Sequence, residues 1–263
     1  MNPTATALSV TLNKIALIRN SRDTDYPSVT AHAQICIDAG ADGITVHPRP
    51  DQRHIRASDC YELAKMLAVE FNIEGNPFAP AMKSERASVG DYPGFIELVQ
   101  TIKPAQCTLV PDSNDQLTSD HGFDLTRSGD RLAPIIETLH SLGIRVSLFM
   151  DPDPEQIALA RQVGADRVEL YTGPYAQAYE QGDNLEEVFR RYYRAAEKTA
   201  EVGLGLNAGH DLNLHNLPRF ATVPNLLEVS IGHALTVDAI NMGLGNAVRA
   251  YQRCLGKEVA EPA

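Results

Sequence analysis

Four imidazole and carboxylate side chains occupy positions from which they could exchange protons with a substrate: His47, Glu74, Glu169 and His210. Each lies at or near the end of a short apolar run that is typical of a β-strand. Imidazoles ionise near neutral pH, and partial desolvation raises the pKa of a carboxyl group towards that range. Glu74 follows an apolar run, so we expect its pKa to be raised. The pattern predicts general acid–base catalysis, which contributes about 10²- to 10⁴-fold per well-placed group.

Glu169 has two interpretations that the sequence leaves open. It could stabilise a positively charged intermediate, or it could form a structural ion pair with Arg145 or Arg167. Spacing along the chain does not decide between these roles.

The same four side chains are also of types that bind divalent metal ions. The chain has no H-E-x-x-H, no Walker A sequence and no G-x-G-x-x-G after a strand. A metal-dependent barrel lyase or isomerase therefore remains an alternative, but the anion-binding features favour a site without a metal.

Basic residues gather at the end of the second apolar run, where Arg49, Arg53 and His54 follow His47. The chain as a whole has a formal net charge of −11, which argues against a nucleic-acid partner. A local positive site in an acidic protein predicts a small phosphorylated or carboxylated ligand. Gly232 and His233 precede the last helix, and backbone N–H groups at such a helix start bind phosphate in many barrels.

Strand-like and helix-like stretches alternate along the whole chain. The predicted strands are 8–12, 44–46, 71–73, 107–110, 146–149, 167–170, 205–207 and 227–231. The predicted helices are 29–39, 57–68, 93–102, 131–142, 154–163, 185–201, 214–220 and 236–255. Eight strand–helix units predict an α/β fold, a (β/α)8 TIM barrel forming a single domain over 1–263, with a core of about 8–256 and short flexible termini. Two long connections, 75–93 and 111–130, follow the third and fourth strands.

The cysteines and the absence of long apolar runs bear on the compartment. Cys36, Cys60, Cys107 and Cys254 are far apart and form no C-x-x-C pair, so we expect reduced and buried thiols. No signal-like segment and no apolar run long enough to span a membrane is present. We expect a cytoplasmic protein with no membrane partner.

Six segments, in this order, resemble the pyridoxine 5′-phosphate synthase family. They are R-N-S-R at 19–22, G-A-D-G-I-T-V-H-P-R at 40–49, R-H-I at 53–55, V-S-L-F at 146–149, N-A-G-H at 207–210 and I-G-H-A at 231–234. The similarity extends from about Leu8 to the last helix. It implies condensation of 1-deoxy-D-xylulose 5-phosphate with 3-amino-2-oxopropyl phosphate, giving pyridoxine 5′-phosphate, phosphate and water. It also implies a transferase without cofactor or metal, assembled as a homo-octamer.

The resemblance assigns roles to individual residues. His47 and Glu74 match proton acceptors, His210 a proton donor, and Glu169 a stabiliser of charged intermediates. The positions that hold the deoxyxylulose phosphate are matched by Arg49, His54 and Thr118. The positions that hold the amino-ketone phosphate are matched by Arg22, Gly232 and His233.

The chain departs from the usual family pattern at several of these places. Thr11, Asn13 and Lys14 stand where an Asn and an Asp-His pair are usual, and Lys14 could compensate as a phosphate or carbonyl ligand. Asp211 follows N-A-G-H where Gly is usual, and the 75–93 connection is longer than usual. We include these four residues among the candidates for substrate binding. Because of the first-strand substitutions, a non-catalytic sugar-phosphate sensor is a further alternative.

Overall fold

Eight parallel strands close into a barrel in a computed structural model that describes residues 5–22 and 24–259. The strands are β1 (Ala7–Thr11), β2 (Gly43–Val46), β3 (Glu70–Gly75), β4 (Gln106–Leu109), β5 (Arg145–Met150), β6 (Arg167–Leu170), β7 (Gly205–His210) and β8 (Leu226–Ile231). Each strand pairs with the next in chain order, and β8 pairs with β1. The predicted TIM barrel is confirmed.

The strands carry apolar residues towards the helices and polar residues towards the barrel interior. Thr45 on β2 lies 2.7 Å from Ser9 on β1 and 3.4 Å from Ser230 on β8, oxygen to oxygen. β2 and β8 are not neighbours in the sheet, so these side chains meet inside the barrel. The alternate residues Leu8 and Ile44 are fully buried in the hydrophobic core.

Eleven helices surround the barrel in the described part of the chain. They are α1 (Asn13–Asn20), α2 (Val29–Asp38), α3 (Ala57–Met66), α4 (Phe95–Ile102), α5 (Leu125–Ser141), α6 (Pro154–Gln162), α7 (Gly173–Gln181), α8 (Leu185–Glu201), α9 (Leu217–Phe220), α10 (His233–Met242) and α11 (Leu244–Cys254). Side-chain caps fix some of their starts. Ser28 accepts a hydrogen bond from the Ala31 N–H, and Asp153 accepts one from the Glu155 N–H before Pro154.

Three differences separate the helices from the prediction. The helices α1 and α7 were not predicted. The helix expected over 131–142 begins at Leu125, because the Asp124 carboxylate caps it by accepting the Thr126 N–H. The helix expected over 236–255 is two helices, since Gly243 has a φ of 81° and interrupts it.

The remaining expectations concern thiols, membrane helices and chain ends. Cys36, Cys60 and Cys107 are free and buried, as expected, whereas Cys254 is only partly buried. No helix in residues 5–22 or 24–259 combines the length and the apolar character needed to cross a membrane. The flexible ends predicted outside a core of about 8–256 stay a prediction, and residues 1–4 and 260–263 of these ends lie outside the described residues.

Candidate active site

The carboxyl ends of the strands surround a cavity of about 320 Å³. Its lining includes every predicted site residue except Arg22: Thr11, Asn13, Lys14, His47, Arg49, His54, Glu74, Thr118, Glu169, His210, Asp211, Gly232 and His233. Catalytic groups of TIM barrels lie at this face and come from several strands. Arg22 lies exposed just after α1 and does not line the cavity, so its part in binding stays a prediction.

His47 follows β2 and lies between two carboxyl groups. Its Nδ1 is 3.7 Å from Glu74 Oε2 and its Nε2 is 3.6 Å from Asp112 Oδ2. The backbone N–H of His47 donates to Asn13 Oδ1 at 2.9 Å, which holds the residue against the start of α1. Burial, and next the charge of Arg49, lower the pKa of His47 to about 3. The imidazole is therefore neutral in the empty cavity, with one ring nitrogen that carries no proton.

Glu74 lies near the end of β3, and its pKa is raised well above the usual value by burial and then by Glu169 and Asp112. The rise expected from its apolar neighbours is thus confirmed. Asn72 Nδ2 donates to Glu74 Oε1 at 3.4 Å. A carboxylate with increased proton affinity, next to a neutral imidazole, suits proton abstraction.

Glu169 on β6 is a buried carboxyl group without an ion-pair partner among the described residues. Only 3% of it is exposed, and its Oε2 accepts no hydrogen bond from any of them. Burial and then Glu228 raise the pKa of Glu169 to about 8. Arg145 pairs with Glu70, and Arg167 pairs with Glu228, so the ion pair considered for Glu169 is not formed. A positively charged ligand would supply the missing partner.

The substitution Glu169→Gln is expected to stabilise the empty protein at alkaline pH. The folded-state pKa of about 8 lies above the ordinary value of 4.5, so the folded protein binds more protons and loses stability as the pH rises towards 8. Gln carries no charge, and we expect a gain of about 1–3 kcal/mol in the free energy of unfolding at pH 8. The melting temperature should rise by about 2–12 °C.

Calorimetry at pH 5 and pH 8 measures this effect, which should be smaller at pH 5. The exposed Glu137→Gln on α5 is the matched control and should stay within about 0.5 kcal/mol. A gain of equal size at both pH values would show that ionisation of Glu169 is not its cause.

His210 at the end of β7 is held on both ring nitrogens. Its Nδ1 lies 2.8 Å from Asp211 Oδ2, and its Nε2 lies 2.7 Å from Thr118 Oγ1. The ring packs against Tyr171 and Phe149, with centroid distances of 5.8 Å and 6.4 Å. Thr118 belongs to the connection after β4, which therefore reaches across the barrel mouth to β7.

Arg49 joins two connections at the barrel mouth. Its guanidinium donates to the Asp112 carboxylate and to the backbone oxygens of Ser113 and Gln116. Arg53 also donates to the backbone oxygen of Gln116, at 3.1 Å. Asp112 was missed by the sequence analysis, although it follows the fourth strand at a position like those of the other candidates. Its pKa is raised because burial outweighs the charge of Arg49.

His54 is a partly buried, neutral imidazole beside His47. Burial, and next the repulsion that a protonated His54 would have with a protonated His47, lower the pKa of His54 to about 3. Its Nδ1 accepts the backbone N–H of Ile55 at 2.9 Å, so the proton of the neutral ring resides on Nε2. A neutral Nε2–H in the cavity wall can donate to a phosphate oxygen.

A second group of polar atoms lines the cavity around the start of α10, after β8. Gly232 caps this ten-residue helix, and His233 is its first residue. A Cβ at Gly232 would lie 2.8 Å from the Cβ of Thr11, and one at Gly209 would lie 2.1 Å from the backbone oxygen of Ser230. Glycine is therefore required at both positions. The N–H groups of this helix start are suited to an anion.

Lys14 and Asn13 lie in the first turn of α1, next to this region. The side-chain oxygen of Asn13 already accepts the His47 N–H, which gives Asn13 a structural contact within the site. Lys14 is half-buried in the cavity wall. A lysine here adds a positive charge beside the predicted phosphate.

The long connection after β3 packs against the one that carries Arg49 and His54. Met82 and Tyr92 form an isolated antiparallel bridge, and the Tyr92 hydroxyl donates to the Pro48 oxygen at 3.4 Å. The Gln52 side chain donates to the backbone oxygen of Gly90 at 2.8 Å. These contacts make the connection a support for the basic segment after β2.

No group of three or more histidine, cysteine or acidic side chains is arranged to hold a metal ion in the part of the chain that the structure describes.

Solved structures share the fold at low sequence identity. An N-(5′-phosphoribosyl)anthranilate isomerase from Pyrococcus furiosus matches with a TM-score of 0.55 and 15% identity, over 95% of this chain and 98% of that one. A 4-hydroxy-2-oxoglutarate aldolase/2-deydro-3-deoxyphosphogluconate aldolase from TTHB1 matches with a TM-score of 0.58 and 14% identity, over 95% and 94%. At these identities the likeness concerns the fold alone.

A closed parallel barrel whose imidazole and carboxyl side chains line one cavity at the carboxyl ends of its strands defines the class of TIM-barrel enzymes. The family model described as "Pyridoxal phosphate biosynthesis protein PdxJ" matches residues 8–257. A pyridoxine 5′-phosphate synthase of Xanthomonas campestris pv. campestris (strain B100) is 55% identical over 94% of this chain and 95% of its own. One of Albidiferax ferrireducens is 48% identical over 96% and 98%. The chain belongs to the PdxJ family.

Proposed function

We propose that this chain catalyses the formation of pyridoxine 5′-phosphate from 1-deoxy-D-xylulose 5-phosphate and 3-amino-2-oxopropyl phosphate, with release of phosphate and water. Family membership and the names of its relatives support this activity. The structural observation that carries the proposal is the single cavity that contains His47, Glu74, Glu169 and His210 between two regions suited to phosphate. This reaction adds an amine to a ketone and closes a ring, and its steps move protons without a redox change.

The two anion-binding regions suit two phosphorylated substrates. We assign the deoxyxylulose phosphate to Arg49, His54 and Thr118, since the first two supply N–H donors in the cavity wall. We assign the amino-ketone phosphate to Gly232 and His233, at the helix start. Thr11, Asn13, Lys14 and Asp211 also line the cavity, and Arg22 remains a candidate from the family pattern alone.

We assign the proton transfers to side chains of the cavity according to their protonation states. Glu74 has increased proton affinity, so it can take a proton from the condensing substrates. We assign the second proton acceptor to His47, as the family pattern implies, because its neutral ring has one nitrogen without a proton. His210 exchanges a proton through a ring nitrogen that lies in the cavity, and donates it to the leaving oxygen. We assign to Glu169 the stabilisation of a positively charged intermediate, which would favour the ionised form of this buried carboxyl group and supply the counter-charge that no described residue provides.

Incubation of the purified chain with both substrates is the direct test. We expect pyridoxine 5′-phosphate by mass spectrometry and one equivalent of phosphate, and no product when either substrate is omitted. Binding of both substrates without product would support the sugar-phosphate sensor instead. A parallel arm with exhaustive chelation should give the same rate. Loss of activity that returns with a divalent ion would support the metal-dependent alternative, which the comparisons do not favour.

We also propose a homo-octamer, a cytoplasmic location and a single domain. Exposed apolar side chains on α1 and α10, namely Leu17, Ile18, Val237 and Ile240, support association of copies. The four free thiols suit a reducing compartment. Light scattering on the purified chain tests the assembly, because eight copies of a 28.7 kDa chain are readily distinguished from one.

A further inference from the structure

The side chain of Asp211 contacts His210 directly. The Asp211 Oδ2 lies 2.8 Å from His210 Nδ1, a normal hydrogen-bond distance. Burial raises the pKa of Asp211, but the hydrogen bond from His210 and its charge outweigh burial and leave the pKa below the usual value. Asp211 is thus an ionised acceptor at neutral pH, and an ionised carboxylate can only accept a hydrogen bond. The proton between the two side chains therefore belongs to Nδ1 of His210.

The backbone around this pair is fixed from two sides. The Thr172 hydroxyl donates to the Gly209 oxygen at 2.7 Å, and the Asp211 N–H lies 3.4 Å from the same hydroxyl. Asn216 Nδ2 donates to the Asp211 oxygen at 3.2 Å. His210 itself has a φ of 39°, in the left-handed region that costs a residue other than glycine about 1–3 kcal/mol. The left-handed backbone conformation therefore occurs at the residue whose ring contacts the Asp211 carboxylate.

The second ring nitrogen of His210 is the one available to a ligand. The Thr118 hydroxyl lies 2.7 Å from Nε2, on the opposite side of the ring from Asp211, and both residues line the cavity. With the proton on Nδ1, the neutral ring accepts the Thr118 hydroxyl proton through Nε2. A substrate oxygen that takes the place of the Thr118 hydroxyl would meet the same nitrogen.

We infer that Asp211 is a positioning residue that fixes His210 in the Nδ1–H tautomer, so that Nε2 is the atom that exchanges a proton with the substrate. This inference rests on the proposed function, because it gives His210 a proton to exchange. It also changes the role expected for Asp211 from a substrate contact to a contact with His210. A free carboxylate beside a phosphate would repel it, whereas one that accepts a hydrogen bond from an imidazole stabilises the imidazolium when His210 takes up a proton.

Two variants test the inference, each measured for tautomer and for kinetics. Asp211→Ala removes the carboxylate, and Asp211→Glu retains it on a longer side chain. Magic-angle-spinning spectra of protein labelled with ¹⁵N-histidine report the tautomer, and His210→Gln identifies the His210 signals. We expect the Nδ1–H form in the unsubstituted chain, appearance of the Nε2–H form in Asp211→Ala, and partial return in Asp211→Glu.

The kinetic expectation is a loss in kcat with little change in KM. Asp211→Ala should lower kcat about 10- to 100-fold, because the proton is no longer held on Nδ1 and Nε2 is then not always free to exchange a proton. KM for both substrates should change less than about threefold. Asp211→Glu should recover part of the loss. The matched control is Asp120→Ala, since Asp120 pairs with His121 at 2.6 Å in the same way but both side chains are more than half exposed. It should leave kcat and the His210 signals unchanged.

Three results would overturn the inference: an unchanged His210 tautomer in Asp211→Ala, an unchanged kcat, or a rise in KM alone, which would assign Asp211 to substrate binding. The spectra are recorded on substrate-free protein. Absence of product from the unsubstituted chain would therefore refute the proposed function, while the tautomer of His210 would still decide the role of Asp211.

Discussion

The substitution Glu74→Gln is expected to lower kcat for pyridoxine 5′-phosphate formation about 10²- to 10⁴-fold while the barrel remains folded. Gln has nearly the same shape but cannot take up a proton. Glu74 is mostly buried at the end of β3, 3.7 Å from His47, and burial has raised its pKa. Because the ionised form accepts the proton, the rate of the unsubstituted enzyme should also fall as the pH drops, beginning above the ordinary titration range of glutamate.

The measurement is product formation at saturating concentrations of both substrates, with circular dichroism and a melting curve to verify folding. Glu85→Gln is the matched control, since Glu85 lies exposed on the connection after β3 and should retain full activity. Turnover of Glu74→Gln within about tenfold of the unsubstituted chain would contradict the role of Glu74 as a proton acceptor.

The substitution Asp59→Asn is expected to destabilise the fold by about 3–5 kcal/mol. Asp59 and Arg19 form a two-point ion pair with N–O distances of 2.5 Å and 2.9 Å, and both side chains are about 5% exposed. Asp59 Oδ2 also accepts the backbone N–H of Arg56 at 2.7 Å, which caps α3. Asn would leave the guanidinium of Arg19 buried without a counter-charge. The melting temperature should fall by about 6–20 °C.

Asp51→Asn is the matched control for this effect. It removes the same charge from the ion pair of Asp51 with Arg53, in which both side chains are about one-third exposed. Such pairs contribute about 0–1 kcal/mol, so the melting temperature should change little. Similar losses in the two variants would show that burial of the Asp59 pair is not the reason for its contribution.

The strands were predictable because each contains buried apolar residues within a short segment, and all but β7 include a β-branched residue. Their observed bounds differ from the predicted ones by at most three residues. Helices were harder to predict where the helical spacing of apolar residues is short or is interrupted. α1 is a short apolar-basic segment, α7 begins with Gly173 and Pro174, and α5 contains Gly129 and Pro134, which obscured its first turns.

The site was predictable to the extent that strand ends define it, since parallel strands bring their carboxyl ends to one face. Contacts between residues that are far apart in the chain were not predictable from the sequence. Asp112 lies 63 residues from Arg49 in the chain, and only the fold reveals their ion pair. The carboxyl group of Glu169 likewise has no ion-pair partner among the described residues because Arg145 pairs with Glu70 and Arg167 pairs with Glu228, which only the fold shows. The strand-end pattern identified the catalytic candidates and the family resemblance assigned their roles, but neither explained Asp211.

The pairing of β1 with β8 affects how the protein forms during synthesis. β1 is synthesised first, and one of its edges can pair with β2 soon afterwards, but the other edge, at Ala7 to Val10, pairs with Glu228 to Ile231 near the end of the chain. Throughout most of translation, one edge of the nascent sheet is therefore unsatisfied, and unpaired edges promote association with other chains. β8 must emerge before that edge is paired, so the first strand is the part of the unfinished sheet that stays open to association for the longest time.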